Sequence, residues 1–139
     1  MLIVDTGPLV AAADRADRHH AQFRDLLETD PGPFVTTAMV VAETAYLLDR
    51  QLGAEAEVAL YDLIIDGTLR VEALTRDDWV RVRDLVDQYG DLPLGGTDAS
   101  LVAISERLRV PRIATVDRAH FTVVRPSHVE AFDLIAPLL

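Results

Sequence analysis

The sequence predicts a three-layer α/β/α domain built around a central parallel sheet of four to five short strands. Short apolar runs bounded by turn residues alternate along the chain with longer segments of helical periodicity. Helices that connect parallel strands cover both faces of the sheet. With 139 residues, half of them hydrophobic, the chain is long enough to bury a core, and we expect residues 1–139 to form a single domain.

The predicted strands are short and apolar, and turn residues separate them from the helices. They comprise Leu2–Val4, residues 34–36, 69–73 and 112–117, with 121–124 as a candidate fifth strand. The first predicted helix begins at Pro8, and the second spans residues 21–28. A cap at Thr36 or Thr37 precedes a long helix that runs to about residue 50, and another helix spans 55–65. A capping box at Thr75 begins the fifth helix, and a cap at Thr97 precedes the sixth, over 98–108. A turn-rich loop spans 91–96, and the tail carries apolar Leu134, Ile135, Leu138 and Leu139.

Composition excludes several classes of protein. There is no cysteine, which rules out disulfides and thiolate metal sites, and all 13 basic residues are arginine, which rules out a Walker-type or receiver-type lysine. No apolar run is long enough for a membrane span, and Asp5 interrupts the first one, so we expect a cytoplasmic protein with no membrane partner. A net charge of −10 argues against nucleic acid, unless several acids surround a cation.

Four carboxylates occupy positions that are unusual for surface acids. Asp5 and Asp117 each close an apolar strand, where open α/β sheets bind ligands. Glu43 falls at helical spacing from Val40 and so on the apolar stripe of its helix, and Asp98 lies in a first helical turn. Each has a purely structural alternative: a helix cap for Asp5 and Asp98, an arginine pair for Glu43 and a turn for Asp117.

Taken together, these acids indicate a cation site. Like charges a few ångströms apart at low dielectric repel by several kcal/mol unless they are protonated or bridged by a cation. A ligand set made only of carboxylates suits Mg²⁺, with Mn²⁺ as a substitute, rather than zinc. Magnesium shares phosphate ligands, so the chemistry that follows is phosphoryl transfer to water.

Four motifs give the chain a family resemblance: Val-Asp-Thr-Gly-Pro-Leu at 4–9, Thr36-Thr37 with Val-Ala-Glu-Thr at 41–44, Asp-Leu-Pro-Leu-Gly-Gly-Thr-Asp-Ala-Ser at 91–100, and Ile-Ala-Thr-Val-Asp-Arg-Ala-His-Phe at 113–121. In this order they resemble PIN-domain ribonucleases, and more narrowly VapC-type toxins of type II toxin–antitoxin pairs. The resemblance implies endonucleolytic cleavage of structured RNA that blocks translation, a homodimer, and inhibition by a VapB-type antitoxin.

The resemblance also implies that Asp5, Glu43, Asp98 and Asp117 form a catalytic quartet around one or two divalent metals. Our hypothesis is that Asp5 and Asp98 hold the principal Mg²⁺, with Asp117 as a further ligand or a contact through water. Glu43 would orient or deprotonate the attacking water, or help a second ion.

Several other residues keep two interpretations at this stage. Thr6 and Thr115 are candidates for hydroxyls that orient acids, although Thr115 could be an ordinary strand residue. Arg112, Arg118 and Arg125 are candidate phosphate contacts or solvated surface groups. His120 either contacts RNA or tunes the site, or it packs beside Phe121. The apolar segment 58–65 either forms an antitoxin groove or belongs to the core.

Two other functions remain as alternatives. A haloacid-dehalogenase-like phosphatase also begins with a strand that ends in Asp, but it needs a second Asp where this chain has Gly7, and a later lysine. A non-catalytic PIN-like binding module would be expected to have a broken quartet, whereas all four acids are present here.

Overall fold

Five short parallel strands form one sheet with helices on both sides, which confirms the predicted three-layer architecture. The computed structural model describes residues 1–92 and 94–137. Pro93 of the predicted turn-rich loop and Leu138 and Leu139 of the predicted tail lie outside the described residues. The strands are β1 (Leu2–Val4), β2 (Phe34–Thr37), β3 (Leu69–Glu72), β4 (Arg112–Ala114) and β5 (Asp133–Ile135).

Seven helices connect these strands within the described ranges. They are α1 (Thr6–Ala13), α2 (His20–Thr29), α3 (Ala38–Leu52), α4 (Ala54–Ile65), α5 (Arg76–Gln88), α6 (Gly96–Leu108) and α7 (Arg118–Thr122). Helix α1 packs against α2 and α3, α3 packs against α4, and α5 and α6 form another closely packed pair. None of the helices in residues 1–92 and 94–137 has the length and hydropathy needed to cross a bilayer.

The strand order β3-β2-β1-β4-β5 places β1 at the centre of the sheet. Leu2, Ile3 and Val4 are fully buried there, as a strand covered on both faces requires. The connections run from β1 outward to β3 and then return to the other side of β1. The strand order therefore reverses between β1 and β4, and in open α/β sheets ligands bind at the carboxyl ends of such a pair.

The structure corrects two of the predicted strands. Strand β4 ends at Ala114, not at residue 117, and residues 121–124 do not form a strand. Asp117 instead caps α7, its Oδ1 accepting a hydrogen bond of 2.9 Å from the backbone N–H of Ala119. The buried Phe121 belongs to that helix, and the fifth strand forms further on, at Asp133–Ile135.

Most predicted helices have the expected boundaries, but α1 begins at Thr6 rather than at Pro8, and α7 was not predicted. The Thr75 capping box and the Thr37 cap of α3 are both present. Helix α6, however, begins at Gly96 after Gly95, so Thr97 lies inside the first turn rather than capping it.

Helix α4 is only partly buried in the core: Leu60 is buried, whereas Ile65 is 81% exposed. The interpretation of segment 58–65 as plain core is therefore wrong for most of its length.

Candidate active site

Asp5 stands where β1 leaves the sheet and α1 begins. Its backbone N–H donates to the carbonyl of Ala114 at 3.0 Å, which continues the pairing of β1 with β4 by one residue. Its carboxylate is nearly buried and accepts from the N–H of Thr6 at 2.7 Å and from the hydroxyl of Thr115 at 2.9 Å. Thr115 therefore orients Asp5 and is more than an ordinary strand residue.

Asp98 lies in the first turn of α6, directly after Gly95-Gly96-Thr97. Its side chain is 14% exposed, and its Oδ2 lies 2.8 Å from Nδ1 of His120. Two residues further on, the buried Ser100 places its hydroxyl 2.8 Å from that of Thr37, the cap of α3. This hydroxyl pair ties the start of α6 to the start of α3 and so relates Asp98 to Glu43.

Glu43 occupies the second turn of α3 and lines the same cavity as the aspartates. The prediction that Glu43 lies within the apolar stripe of its helix is wrong, because the residue is exposed. The buried positions of α3 are Val40, Thr44, Ala45 and Leu48. Glu43 sits at the border of this stripe, where the helix faces the cavity rather than the core.

Asp117 and His120 complete the cluster from α7. Nε2 of His120 lies 3.2 Å from Oδ2 of Asp117, so one imidazole ring spans the aspartates of α6 and α7. The packing interpretation of His120 is therefore insufficient, because both ring nitrogens face carboxylates. The carboxylate of Asp117 is 49% exposed, much more than that of Asp98.

The four predicted acids thus come together around one cavity of about 440 Å³ at the carboxyl ends of β1 and β4. Thr6, Gly7, Leu47 and residues 95–97 line it as well, together with Val116 and His120. Gly7 suits this shape, because a Cβ at that position would overlap the side chain of Val116 in the cavity wall.

Burial and like charge raise the pKa values of two of these acids. Desolvation raises the pKa of Asp5, and the nearby charge of Glu43 adds to the increase. Burial and the charge of Asp5 raise the pKa of Asp98 to about 6, while His120 acts in the opposite direction. Asp5, Glu43 and Asp98 therefore repel one another across the cavity.

Within the described part of the chain, no arginine forms an ion pair with any of the four acids. Arg112 pairs with Asp30, at the opposite end of β4, so it is not a phosphate contact of this cavity. Arg118 directs its guanidinium to the backbone carbonyls of Ala136 and Pro137. The only cationic partner found for the acids in residues 1–92 and 94–137 is His120, when it is protonated.

The donor set fits a hard divalent cation. Its oxygens are carboxylates that repel one another, and the buried hydroxyl of Thr6 beside Asp5 has no hydrogen-bond partner among the described residues. No three Asp, Glu or His side chains in those residues already stand at the spacing of a finished ion site. Magnesium does not need such a cage, because it keeps several waters and binds through one or two carboxylates plus substrate phosphates.

Sequence reasoning named His120 as a candidate for tuning the site but missed the Thr37–Ser100 hydroxyl pair. This pair, like the placement of His120 against Asp98 and Asp117, depends on contacts between distant segments. The available signal was a buried polar residue, Ser100, in a helix that is otherwise apolar from Ala99 to Ile104.

Comparison with known proteins shows which family the chain belongs to. The family model of the PIN domain matches residues 2–125. Ribonuclease VapC26 of Mycobacterium tuberculosis is 30% identical over 125 residues, covering 90% of this chain and 93% of that protein. The 23S rRNA-specific endonuclease VapC20 of the same species is 26% identical over 130 residues, covering 91% of this chain and 99% of that one.

Two solved structures share the fold. The crystal structure of M. tuberculosis VapC20, described as a sarcin-ricin loop cleaving toxin, aligns with a TM-score of 0.82 at 22% identity over 94% of this chain and 99% of that one. FitAcB of Neisseria gonorrhoeae aligns with a TM-score of 0.59 at 17% identity over 87% of this chain and 91% of that one. The matched family model and the 30% identical ribonuclease show that the chain belongs to the PIN-domain family, among its RNA-cleaving nucleases of VapC type.

Proposed function

We propose that this protein is a divalent-metal-dependent endoribonuclease that acts as the toxin of a toxin–antitoxin pair. Its substrate would be structured RNA, either ribosomal or transfer RNA, and its cleavage would block translation. The observation that carries the proposal is the cavity in which Asp5, Glu43 and Asp98 repel one another without an arginine partner in the described residues. The names of the relatives VapC26 and VapC20 support RNA as the substrate, and that of VapC20 supports rRNA.

Mg²⁺ is the proposed ion, with Mn²⁺ as a substitute, because the donors are carboxylates. Asp5 and Asp98 would hold it, and Asp117 would act on it either as a further contact, direct or through water, or indirectly through His120. When bound, such an ion supplies Lewis acidity toward a phosphodiester and makes water a better nucleophile. The hydrogen bonds from Thr6 N–H and Thr115 keep the carboxylate of Asp5 in one orientation for this task.

Glu43 is the proposed base. It is an exposed acid of the cavity wall that lies beside Asp5 and Asp98, so it can reach a water molecule there and take its proton. The water oxygen then bonds to phosphorus, the P–O3′ bond breaks, and the leaving O3′ takes up a proton from solvent, so that the products are a 5′-phosphate and a 3′-hydroxyl. Glu43→Gln should retain ion binding and lose most of the cleavage rate.

The function is tested by incubating purified protein with total RNA and mapping the cleaved ends. We expect cleavage that needs Mg²⁺ or Mn²⁺, stops with EDTA and is absent in Asp5→Asn. A matched control is Glu28→Gln, an exposed acid paired with Arg24 far from the cavity. Cleavage that persists in EDTA or in Asp5→Asn would contradict the proposal, and hydrolysis of a small phosphate ester instead of RNA would favour the phosphatase alternative.

A VapB-type antitoxin would bind an apolar groove between α1, α2 and α4. Leu9, Leu27 and Leu63 line this groove, whose main cavity is about 480 Å³, and Arg15 lies at its edge. These residues suit an amphipathic helix that presents an apolar stripe and an acid. Leu63→Asp should weaken binding of a co-expressed antitoxin and leave RNA cleavage intact, whereas Val86→Asp on α5 should change neither.

The remaining expectations are also proposals. We place the protein in the cytoplasm as a homodimer, and exposed apolar side chains outside the groove, such as Trp79 (52% exposed), support self-association. Sedimentation equilibrium tests the dimer, which a monomer at all concentrations would contradict. We also propose that residues 1–139 form one PIN domain, since β5 adds an edge strand to the sheet that the family match already contains.

A further inference from the structure

His120 connects two acids that belong to different helices. Its Nδ1 lies 2.8 Å from Oδ2 of Asp98 on α6, and its Nε2 lies 3.2 Å from Oδ2 of Asp117 on α7. The next residue, Phe121, is buried and packs edge-on against Phe132, with ring centroids 6.1 Å apart. The core therefore fixes α7, and with it the place from which His120 reaches Asp98.

Asp117 differs from the other three acids in its environment. Its Oδ1 accepts from Ala119 N–H and its Oδ2 faces His120, so both oxygens are engaged within its own helix. Its charge is not among the main causes of the raised pKa of Asp5 or of Asp98, whereas the charge of Glu43 contributes to both. One electrostatically coupled group therefore consists of Asp5, Glu43 and Asp98. Asp117 is connected to this group by the imidazole of His120, which lies between Asp117 and Asp98.

Building on the proposed ion site, we infer that His120 is a positioning residue, and that Asp117 acts on the cation through His120 and Asp98 rather than as a ligand. Nδ1 of the imidazole lies against Oδ2 of Asp98, while Oδ1 has no hydrogen bond or ion pair within the described residues. Oδ1 is therefore the oxygen left for an ion. Groups that orient a metal ligand in this way typically contribute about 10–100-fold to metal affinity or activity.

The experiment measures Mn²⁺ affinity by isothermal titration calorimetry on metal-stripped full-length protein, without RNA. An asparagine at position 120 places its amide nitrogen near the position of Nδ1, whereas a glutamine places it near Nε2. We expect His120→Ala and His120→Gln to bind Mn²⁺ about tenfold more weakly. His120→Asn keeps the contact to Asp98 and should stay within about threefold of wild type. This difference is a readout that a purely structural role would not produce, and melting temperatures check that each variant folds.

A double-mutant cycle separates an indirect role of Asp117 from direct ligation. If Asp117 acts through His120, Asp117→Asn weakens binding in the wild type and adds nothing in the His120→Ala background. Asp117→Asn that weakens binding equally in both backgrounds would make Asp117 a ligand and overturn the inference. So would unchanged or tighter binding by His120→Ala. Failure of the wild type to bind Mn²⁺, or wild-type affinity in Asp98→Asn, would instead refute the proposed ion site itself.

Discussion

Two groups of buried acids in this molecule are treated in opposite ways. On the α5–α6 side, Glu106 accepts two hydrogen bonds from Arg81, at 2.7 and 3.0 Å, and Asp78 accepts from Arg107 at 2.9 Å. At the end of β1 and β4, Asp5 and Asp98 are similarly buried but have no arginine among the described residues. The first group is neutralised within the chain, and the second is not.

The pKa values express this difference. The guanidinium of Arg81 and the N–H of Ser127 lower the pKa of Glu106 despite its burial. Burial and neighbouring carboxylates raise the pKa values of Asp5 and Asp98. The chain has 13 arginines, yet in the described residues none of them pairs with the buried acids of this cavity. This arrangement favours neutralisation of these acids by a bound cation. Strongly perturbed carboxylates in a cleft therefore point to function. For the paired acids, by contrast, the expected effect is a loss of stability when the arginine partner is removed.

The largest expected effect is on catalysis at the unpaired acids. Asp98→Asn removes a proposed ion ligand and the electrostatic stabilisation that would depend on it, so RNA cleavage should fall by about 10³-fold or more. Single-turnover rates at saturating Mg²⁺ measure the effect. Glu28→Gln on the surface is the control. Near-normal cleavage by Asp98→Asn would contradict the claim that the unpaired acids carry the activity.

The next effect concerns stability at the paired acids. Arg107→Ala leaves Asp78 buried without its guanidinium, and because Arg107 itself is one-third exposed we expect a loss of about 2 kcal/mol in the free energy of unfolding. Urea denaturation measures it, with Arg24→Ala as an exposed control that should change stability by about 0.5 kcal/mol or less. Equal effects of the two variants would show that the pair with Asp78 has no special role.

A third prediction concerns the shape of the cavity. Gly7→Ala forces its Cβ against Val116, and overpacking of this kind costs about 1–2 kcal/mol. Because Val116 lines the acid cavity, the rate of RNA cleavage should fall even under conditions in which Gly7→Ala remains folded. Gly67→Ala is a useful contrast: its Cβ would meet no atom within 4 Å, but the positive φ of 83° makes the change strained. Gly67→Ala should therefore lose stability and keep its activity.

The smallest effect is on the pH dependence of stability in the metal-free protein. Folding raises the pKa of Asp98 from 3.8 to about 6, so the folded state binds more protons between these values and its stability falls as the pH rises through them. Asp98→Asn should therefore be more stable than wild type at pH 7.5, by about 1 kcal/mol, and this advantage should shrink toward pH 4.

Glu106→Gln is the matched variant, for which the expected change in stability at neutral pH has the opposite sign. Its folded pKa is lowered, so the stability that Glu106 contributes is present at neutral pH and is lost as the pH falls through that value. The variant should be less stable than wild type at pH 7.5, and the difference should disappear in acid. Thermal melts in EDTA across this pH range measure both variants, and the same sign for both would contradict the account.

The sequence was informative wherever local chemistry decides the structure. The apolar run at Leu2–Val4, the Thr37 cap and the Thr75 capping box predicted their elements, and strand ends marked Asp5 as a site residue. It failed where packing between distant segments decides. Phe121–Val124 has strand propensity, but the cap at Asp117 and the burial of Phe121 place Phe121 and Thr122 in the last turn of α7, and Val123 and Val124 follow it outside any strand. This short helix is what directs His120 toward Asp98.

The central claim is that the unpaired acids gather a divalent cation and the arginine-paired acids do not. Anomalous diffraction from crystals soaked in Mn²⁺ tests it most directly. The account predicts a peak in the cavity next to the carboxylates of Asp5 and Asp98, at about 2.0–2.3 Å from their oxygens, and none beside Glu106 or Asp78. An empty cavity at saturating Mn²⁺, or a peak only at the paired acids, would contradict it.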